Sequence, residues 1–163
     1  MVEMEVVGVR VEMPSSSPIA LLREVGGTQR VLPIFIGAPE ATAIALALDD
    51  VVTPRPMTHD LMTNVIEELG ANLDHVSVTD LRDGVFYAEL HLATGVGPHT
   101  ISSRPSDAIA LAVRTGSPIY AAESVLDEAA YVEEDQADGP EAEAMVEEFK
   151  EFIDSVDPED FAL

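Results

Sequence analysis

The pentapeptide Ala43-Ile44-Ala45-Leu46-Ala47 returns as Ala108-Ile109-Ala110-Leu111-Ala112. Each occurrence follows an extended apolar segment, a proline (Pro39, Pro105) and an acid (Glu40, Asp107). A recurring block constrains a fold more than composition does, because it asks for one supersecondary unit used twice. Proline in the first helical turn gives up no hydrogen bond, and a carboxylate there faces the positive end of the helix dipole. Both blocks therefore read as helix starts. Alanine flanks Ile and Leu on most sides, which leaves no wet face and predicts a central, closely approaching pair of helices. The alternative is that so simple an apolar pattern recurs by chance.

Between and around these blocks the chain punctuates itself. Val2 to Met13 alternates like a strand but changes phase once, which predicts a bulge near Val6-Val7. Pro14 to Pro18 reads as a loop, Ile19 to Val25 as a strand, Gly26-Gly27 as a turn, and Arg30 to Ile36 as a strand whose Pro33 marks an edge or bulge. Leu61, Val65, Ile66 and Leu69 recur at helical spacing, with Thr58 as N-cap, Asp60 in the first turn and Gly70 as the stop. Asn72 to Leu81 and Val85 to Leu92 are strands joined by Asp83-Gly84, a hairpin signal. Thr100 to Ser102 and Pro118 to Ala121 complete the strands.

At 163 residues the chain suits one domain plus a tail. It contains no cysteine, which excludes disulfides, thiolate chemistry and cysteine-ligated zinc and fits a reducing compartment. Without a leader-like N-terminus or an apolar run of spanning length, the expectation is a cytoplasmic protein with no membrane contact. Of its 31 acids, 16 lie between Glu123 and Asp160, where Lys150 is the only cation, while Met1 to Ala122 holds 15 acids and 7 arginines. The formal net charge of -23 weighs against tight nonspecific binding of nucleic acid, whose affinity comes from cations on phosphates. Within the tail, Met145, Phe149, Phe152, Ile153 and Val156 predict an amphipathic acidic helix, which either docks on the body or recruits a protein partner.

Three polar clusters stand at helix starts: Glu40; Arg55 with Thr58, His59 and Asp60; and Arg104 with Ser106 and Asp107. If the two halves pack through their Ala-rich helices, these starts converge. Glu40, Asp60 and Asp107 then offer oxygen ligands to a divalent metal, Mg2+ or Mn2+, which can make a nucleophile of water and neutralise a phosphodiester. Arg55 and Arg104 offer planar forks to phosphate, and His59 offers an imidazole as a general base or acid. The structural alternative is an ion-pair network in which Arg55 and Arg104 bond Asp107 and Asp60 across the halves. Acids at a helix start repel phosphate, so a nuclease reading needs the metal. His75 and His91 fall on strands and His99 in a loop. No phosphate-binding glycine loop, G-x-S-x-G, H-E-x-x-H or dinucleotide fingerprint is present.

Five segments taken in order resemble the bifunctional nuclease domain family. They are Leu32-Pro33-Ile34-Phe35-Ile36-Gly37 with Glu40-Ala41; Arg55-Pro56-Met57-Thr58-His59-Asp60-Leu61; Asp83-Gly84-Val85-Phe86-Tyr87-Ala88; Arg104 to Ala112; and Pro118-Ile119-Tyr120. The likeness covers Val2 to Leu126, and the acidic tail resembles the extension of actinobacterial members. It implies an α+β fold and a nuclease acting on DNA and RNA, and it carries Glu40, Arg55, Thr58, His59, Asp60, Arg104, Ser106 and Asp107 as site positions. Ser102 departs from the acid expected there in many relatives. The combined expectation is a domain over 1–126 with a curved mixed or antiparallel sheet, buried Ala-rich helices and two related strand-and-helix halves, followed by an acidic extension over 127–163. Catalysis falls to His59, Asp60, Asp107 and Glu40; Arg55, Arg104, Thr58 and Ser106 bind substrate; Glu40, Asp60 and Asp107 hold metal. Unbroken apolar strands also suggest a homo-oligomer. A noncatalytic scaffold that binds a protein partner is the competing reading.

Overall fold

The computed structural model describes residues 1–12 and 16–132, and the amphipathic helix expected around Met145 to Val156 lies outside the described residues. Among the described residues, eight strands and four helices form an α+β fold with one mixed sheet. The chain runs β1 (Val2–Glu12), β2 (Ser17–Glu24), β3 (Arg30–Phe35), α1 (Ala38–Leu48), α2 (Thr58–Glu68), β4 (Ala71–Arg82), β5 (Val85–Thr94), β6 (Gly97–Ser103), α3 (Pro105–Thr115), β7 (Ile119–Ala121), α4 (Glu123–Ala129) and β8 (Tyr131–Val132). Strand order is β6-β5-β4-β7-β1-β2-β3-β8. Among the described residues no helix is long and apolar enough to cross a membrane.

Two antiparallel meanders, β1-β2-β3 and β4-β5-β6, each lead into a helix whose third residue is an acid, Glu40 in α1 and Asp107 in α3. The short β7 joins them, antiparallel to β1 and parallel to β4. The halves are thus alike in topology. The repeated pentapeptide is not placed alike, however: it begins at the sixth residue of α1 and the fourth of α3. A two-residue offset turns it by about 200° around the helix. What the halves share locally is the acid at the helix start, and the two Ala-Ile-Ala-Leu-Ala blocks occupy different positions in their helices.

Burial differs accordingly. Ala108 to Ala112 are at most 1% exposed, because α3 is packed against α1, α2, β4 and β5. Helix α1 buries Ala41, Ala43 and Ile44 and leaves Thr42 and Leu48 exposed, so the expected pair of fully buried helices is a single one. The reason is position: α1 has α3 and the first meander beneath it and no described element above. Ile44, Ile109, Leu111, Leu22 and Leu32 meet in one core.

The register shift in β1 falls between Val6 and Gly8, the expected bulge. Pro33 pairs with Leu21, beyond the two residues at which β8 covers β3, so it sits on what is locally an edge. Asp83 and Gly84 take φ of 51° and 76°, the left-handed pair that a two-residue hairpin requires. Thr58 is the first residue of α2 rather than its cap; Met57 occupies the cap, and its N–H donates to Asp60 Oδ2 at 2.9 Å. Strand β2 begins at Ser17, inside the expected loop, and His99 lies on β6 opposite Leu92. Elements α4 and β8 were not expected. The seven residues of α4 are too few to show a period, and Arg30 holds it through Glu123 (2.8 Å) and Asp127 (3.1 Å).

Candidate active site

Three helix starts meet through the Arg104 guanidinium and the Asp107 carboxylate. Arg104, the residue before α3, donates from Nε to Asp107 Oδ2 at 2.7 Å and from Nη2 to Asp107 Oδ1 at 3.0 Å and Glu40 Oε1 at 2.9 Å. The first two bonds form a fork within one helical turn, and the third crosses to α1. From α2, His59 brings Nε2 to 3.0 Å from Asp107 Oδ1. Gly37, just before α1, makes room for this arrangement: a Cβ there would lie 2.3 Å from Glu40 Oε2.

Burial grades across the cluster. The His59 side chain is 8% exposed, Glu40 14% and Asp107 22%, whereas Arg104 is 66% exposed, so two carboxylates look outward at one accessible cation, with the imidazole behind Asp107. Burial pushes the Asp107 carboxyl up, but the hydrogen bonds from Arg104 and His59 outweigh it and hold the group below its ordinary value. The Asp107 and Glu40 carboxylates hold Arg104 ever more firmly protonated. In neutral His59 the bond to Asp107 places the ring proton on Nε2. That leaves Nδ1 as the basic nitrogen, with no hydrogen-bond partner among the described residues.

Asp60 lies apart from this cluster. Its Oδ1 accepts from Arg114 Nε at 2.6 Å and its Oδ2 from Met57 N–H, and the Arg114 bond holds its carboxyl below the ordinary range. Arg114 is seven residues beyond Asp107 in α3, about 10 Å along the axis. Helix α2 is therefore pinned to α3 at two points by adjacent residues, His59 and Asp60. Arg114 escaped the sequence reading because it sits in the last turn of a helix, where an arginine is expected to complement the dipole; its side chain is in fact 10% exposed and bonded to Asp60 and the Ala110 carbonyl (2.8 Å). Arg55 is exposed, with no ion-pair partner among the described residues, and Thr58 is exposed beside it. Ser106 is buried in the first turn of α3 and, with Arg104, borders a cavity of about 410 Å3. Ser102 is exposed on β6, opposite Glu89.

Glu40 and Asp107 supply two carboxylates, oxygen donors suited to Mg2+ or Mn2+. Among the described residues no three His, Asp or Glu side chains already surround a common point. A Mg2+-type ion commonly takes one or two carboxylates and completes its shell with water and substrate phosphate, so the donor set is compatible with it.

A meandering α+β fold with an arginine-bridged acid cluster at its helix starts is the setting, and the chain belongs to the Bifunctional nuclease domain family, which matches residues 20–134. Over 163 residues it is 47% identical to an uncharacterized protein of Mycobacterium tuberculosis (strain H37Rv), covering 98% of this chain and 97% of that one. It is also 33% identical over 113 residues to bifunctional nuclease 2 of Oryza sativa subsp. japonica, and 29% identical over 113 residues to bifunctional nuclease 2 of Arabidopsis thaliana. Each plant match takes in 66% of this chain and 34% of the plant protein, so the likeness is to one third of those proteins.

Proposed function

We propose that this chain hydrolyses phosphodiester bonds of DNA and RNA at the cluster of Glu40, His59, Arg104 and Asp107. The observation that carries the reading is the convergence of Glu40, a part-buried His–Asp pair and an exposed arginine at three helix starts, in a chain of a family whose plant members are named bifunctional nucleases. Arg104 holds a non-bridging phosphate oxygen; its Nη1 has no partner among the described residues and stays available for that bond. His59 takes a proton from the attacking water. The water oxygen bonds to phosphorus, the bond to the leaving oxygen breaks, and that oxygen is protonated. DNA has no 2′-hydroxyl, so an enzyme that cuts both polymers needs this external water.

Charge supports a metal. Arg104 carries one positive charge against the two negative charges of Glu40 and Asp107, a local sum that repels phosphate. Glu40 and Asp107 would hold a divalent cation, which when bound would supply the missing positive charge and polarise the scissile phosphate. Asp60 serves by fixing the start of α2, and with it His59, through Arg114. Arg55 and Thr58 lie on the exposed approach to α2, where Arg55 meets a flanking phosphate.

A second reading has its own support: each acid of the cluster already has an arginine partner, as a structural ion-pair network would. In that reading the chain is a scaffold for a protein partner or a homo-oligomer, with the β6 edge open to pairing among the described elements. Cleavage of labelled single-stranded RNA and DNA by wild type, Glu40→Ala and Asp107→Ala, in Mg2+, Mn2+ and EDTA, decides between them. The nuclease reading expects cleavage that EDTA and both substitutions abolish. Equal products from all three proteins, or none from wild type, overturn it.

A further inference from the structure

We infer that the outer face of α2 is one half of an interface between two copies of the chain, which pair there as a twofold homodimer. The inference does not rest on the nuclease reading. Met57, Leu61, Val65 and Leu69 follow one another at intervals of four, from one cap of α2 to the other. On a helix that spacing forms a single ridge, here about 18 Å long. Its four members are 38 to 80% exposed, and Met62 beside them is 37% exposed. Three of the four residues whose spacing announced this helix therefore face outward. A different face holds α2 to the body: His59 is its one buried residue, and it packs against α3 and β4.

Single apolar residues scattered on a surface need no explanation, but a continuous row of them does. These five side chains leave on the order of 450 Å2 of mostly apolar surface, and a standard interface buries about 800 Å2 per partner with somewhat more than half of it apolar. The row alone thus supplies the apolar share of a stable dimer.

A second copy is the occupant that the row itself specifies. Ridges at i±4 spacing interdigitate with ridges of the same spacing at a crossing angle of about −50°, the commonest helix packing. The groove open to such a ridge lies between this row and the next, Thr58, Met62 and Ile66, and neither row contains a charge. Two copies related by a twofold axis close on each other there, so no open chain of subunits grows. Each copy carries a formal charge of -23, so charge opposes the association and apolar burial drives it. A partner recruited by charge would find nothing on these two rows to pair with.

The chain has no cysteine, so a single cysteine introduced by substitution reports only contacts between copies. Near the twofold axis the middle of the row meets its own mate. The proposal therefore expects a short bismaleimide to cross-link Leu61→Cys and Val65→Cys but not Val96→Cys, which is 90% exposed between β5 and β6. Sedimentation of the full chain at micromolar concentration should give twice its 17.4 kDa, and the dimer should tighten as salt rises because like net charges are screened. Val65→Glu sets two unpaired carboxylates against each other and should weaken the dimer by about a hundredfold. A monomeric wild type, dissociation by salt, a dimer unmoved by Val65→Glu, or equal cross-linking at Val96→Cys overturns the proposal. Should Val65→Glu fail to fold, the cross-links decide.

Discussion

Replacing Asp107 by alanine removes the acceptor on which Arg104 and His59 both depend, and the size of the effect follows from its bonds. Three hydrogen bonds of 2.7 to 3.0 Å end on this carboxylate. Bonds to a charged group contribute about 1.5–3 kcal/mol each when desolvated. Arg104, at 66% exposure, recovers much of its loss from water, so we set the total at about 2 kcal/mol. At about 3–4 °C per kcal/mol for a unit of this size, the melting temperature falls by about 7 °C at pH 7. The sign of the pH dependence follows from the lowered carboxyl. A group whose folded value is depressed stabilises fully above its unfolded value near 3.9, and that contribution disappears as pH falls through the folded value. Thermal melts of wild type and Asp107→Ala, followed by circular dichroism from pH 7 to pH 2.5, should therefore differ by about 7 °C at neutral pH and draw together only as the pH falls below the ordinary carboxylate range, through the lowered Asp107 value. A gap that stays constant across this range would mean that lost packing, and not the ionised carboxylate, sets the effect.

The other expectations rest on different residues. Ile109→Ala empties a site with no solvent exposure at the centre of α3, which should cost about 3–4 kcal/mol in a denaturant titration. Gly84→Ala puts a side chain at a φ of 76° in the hairpin turn and should cost about 1 kcal/mol, although no atom lies within 4 Å to obstruct it. Gly37→Ala is the converse, a residue at an ordinary φ of -75° whose new Cβ strikes Glu40. It should leave stability within about 1 kcal/mol of wild type while weakening cleavage, as measured by initial rates on labelled RNA.

How much was legible in the sequence depended on the range of the interaction that fixed it. Asp83-Gly84, the β1 phase shift and Pro33 each announced their structure because hairpin chirality, pleat alternation and a missing N–H are properties of a few adjacent residues. Glu40 and Asp107 were readable as first-turn acids for the same reason. That Arg104 would take both, while Asp60 would turn to Arg114, was not legible, because it depends on where α2 crosses α3 and no local pattern carries a crossing point. The pentapeptide shows the opposite error. Its identity in letters suggested equivalent helices, but burial is set by the surroundings, and only α3 is enclosed. Helix α4 was hidden by its length, and its anchor Arg30 lies 93 residues from Glu123.

The claim that this cluster, and not the surface at large, cleaves phosphodiester bonds is tested most directly by comparing two histidine substitutions under single turnover. His59→Gln removes the ring bonded to Asp107. His75→Gln removes one that stacks on His91 across the sheet, with ring centroids 4.0 Å apart. With both proteins shown to be folded by their melts, the account predicts that His59→Gln lowers the cleavage rate of labelled single-stranded RNA by about 10² to 10⁴, the contribution of a positioned general base, while His75→Gln cleaves like wild type. Equal rates for the two variants would contradict it.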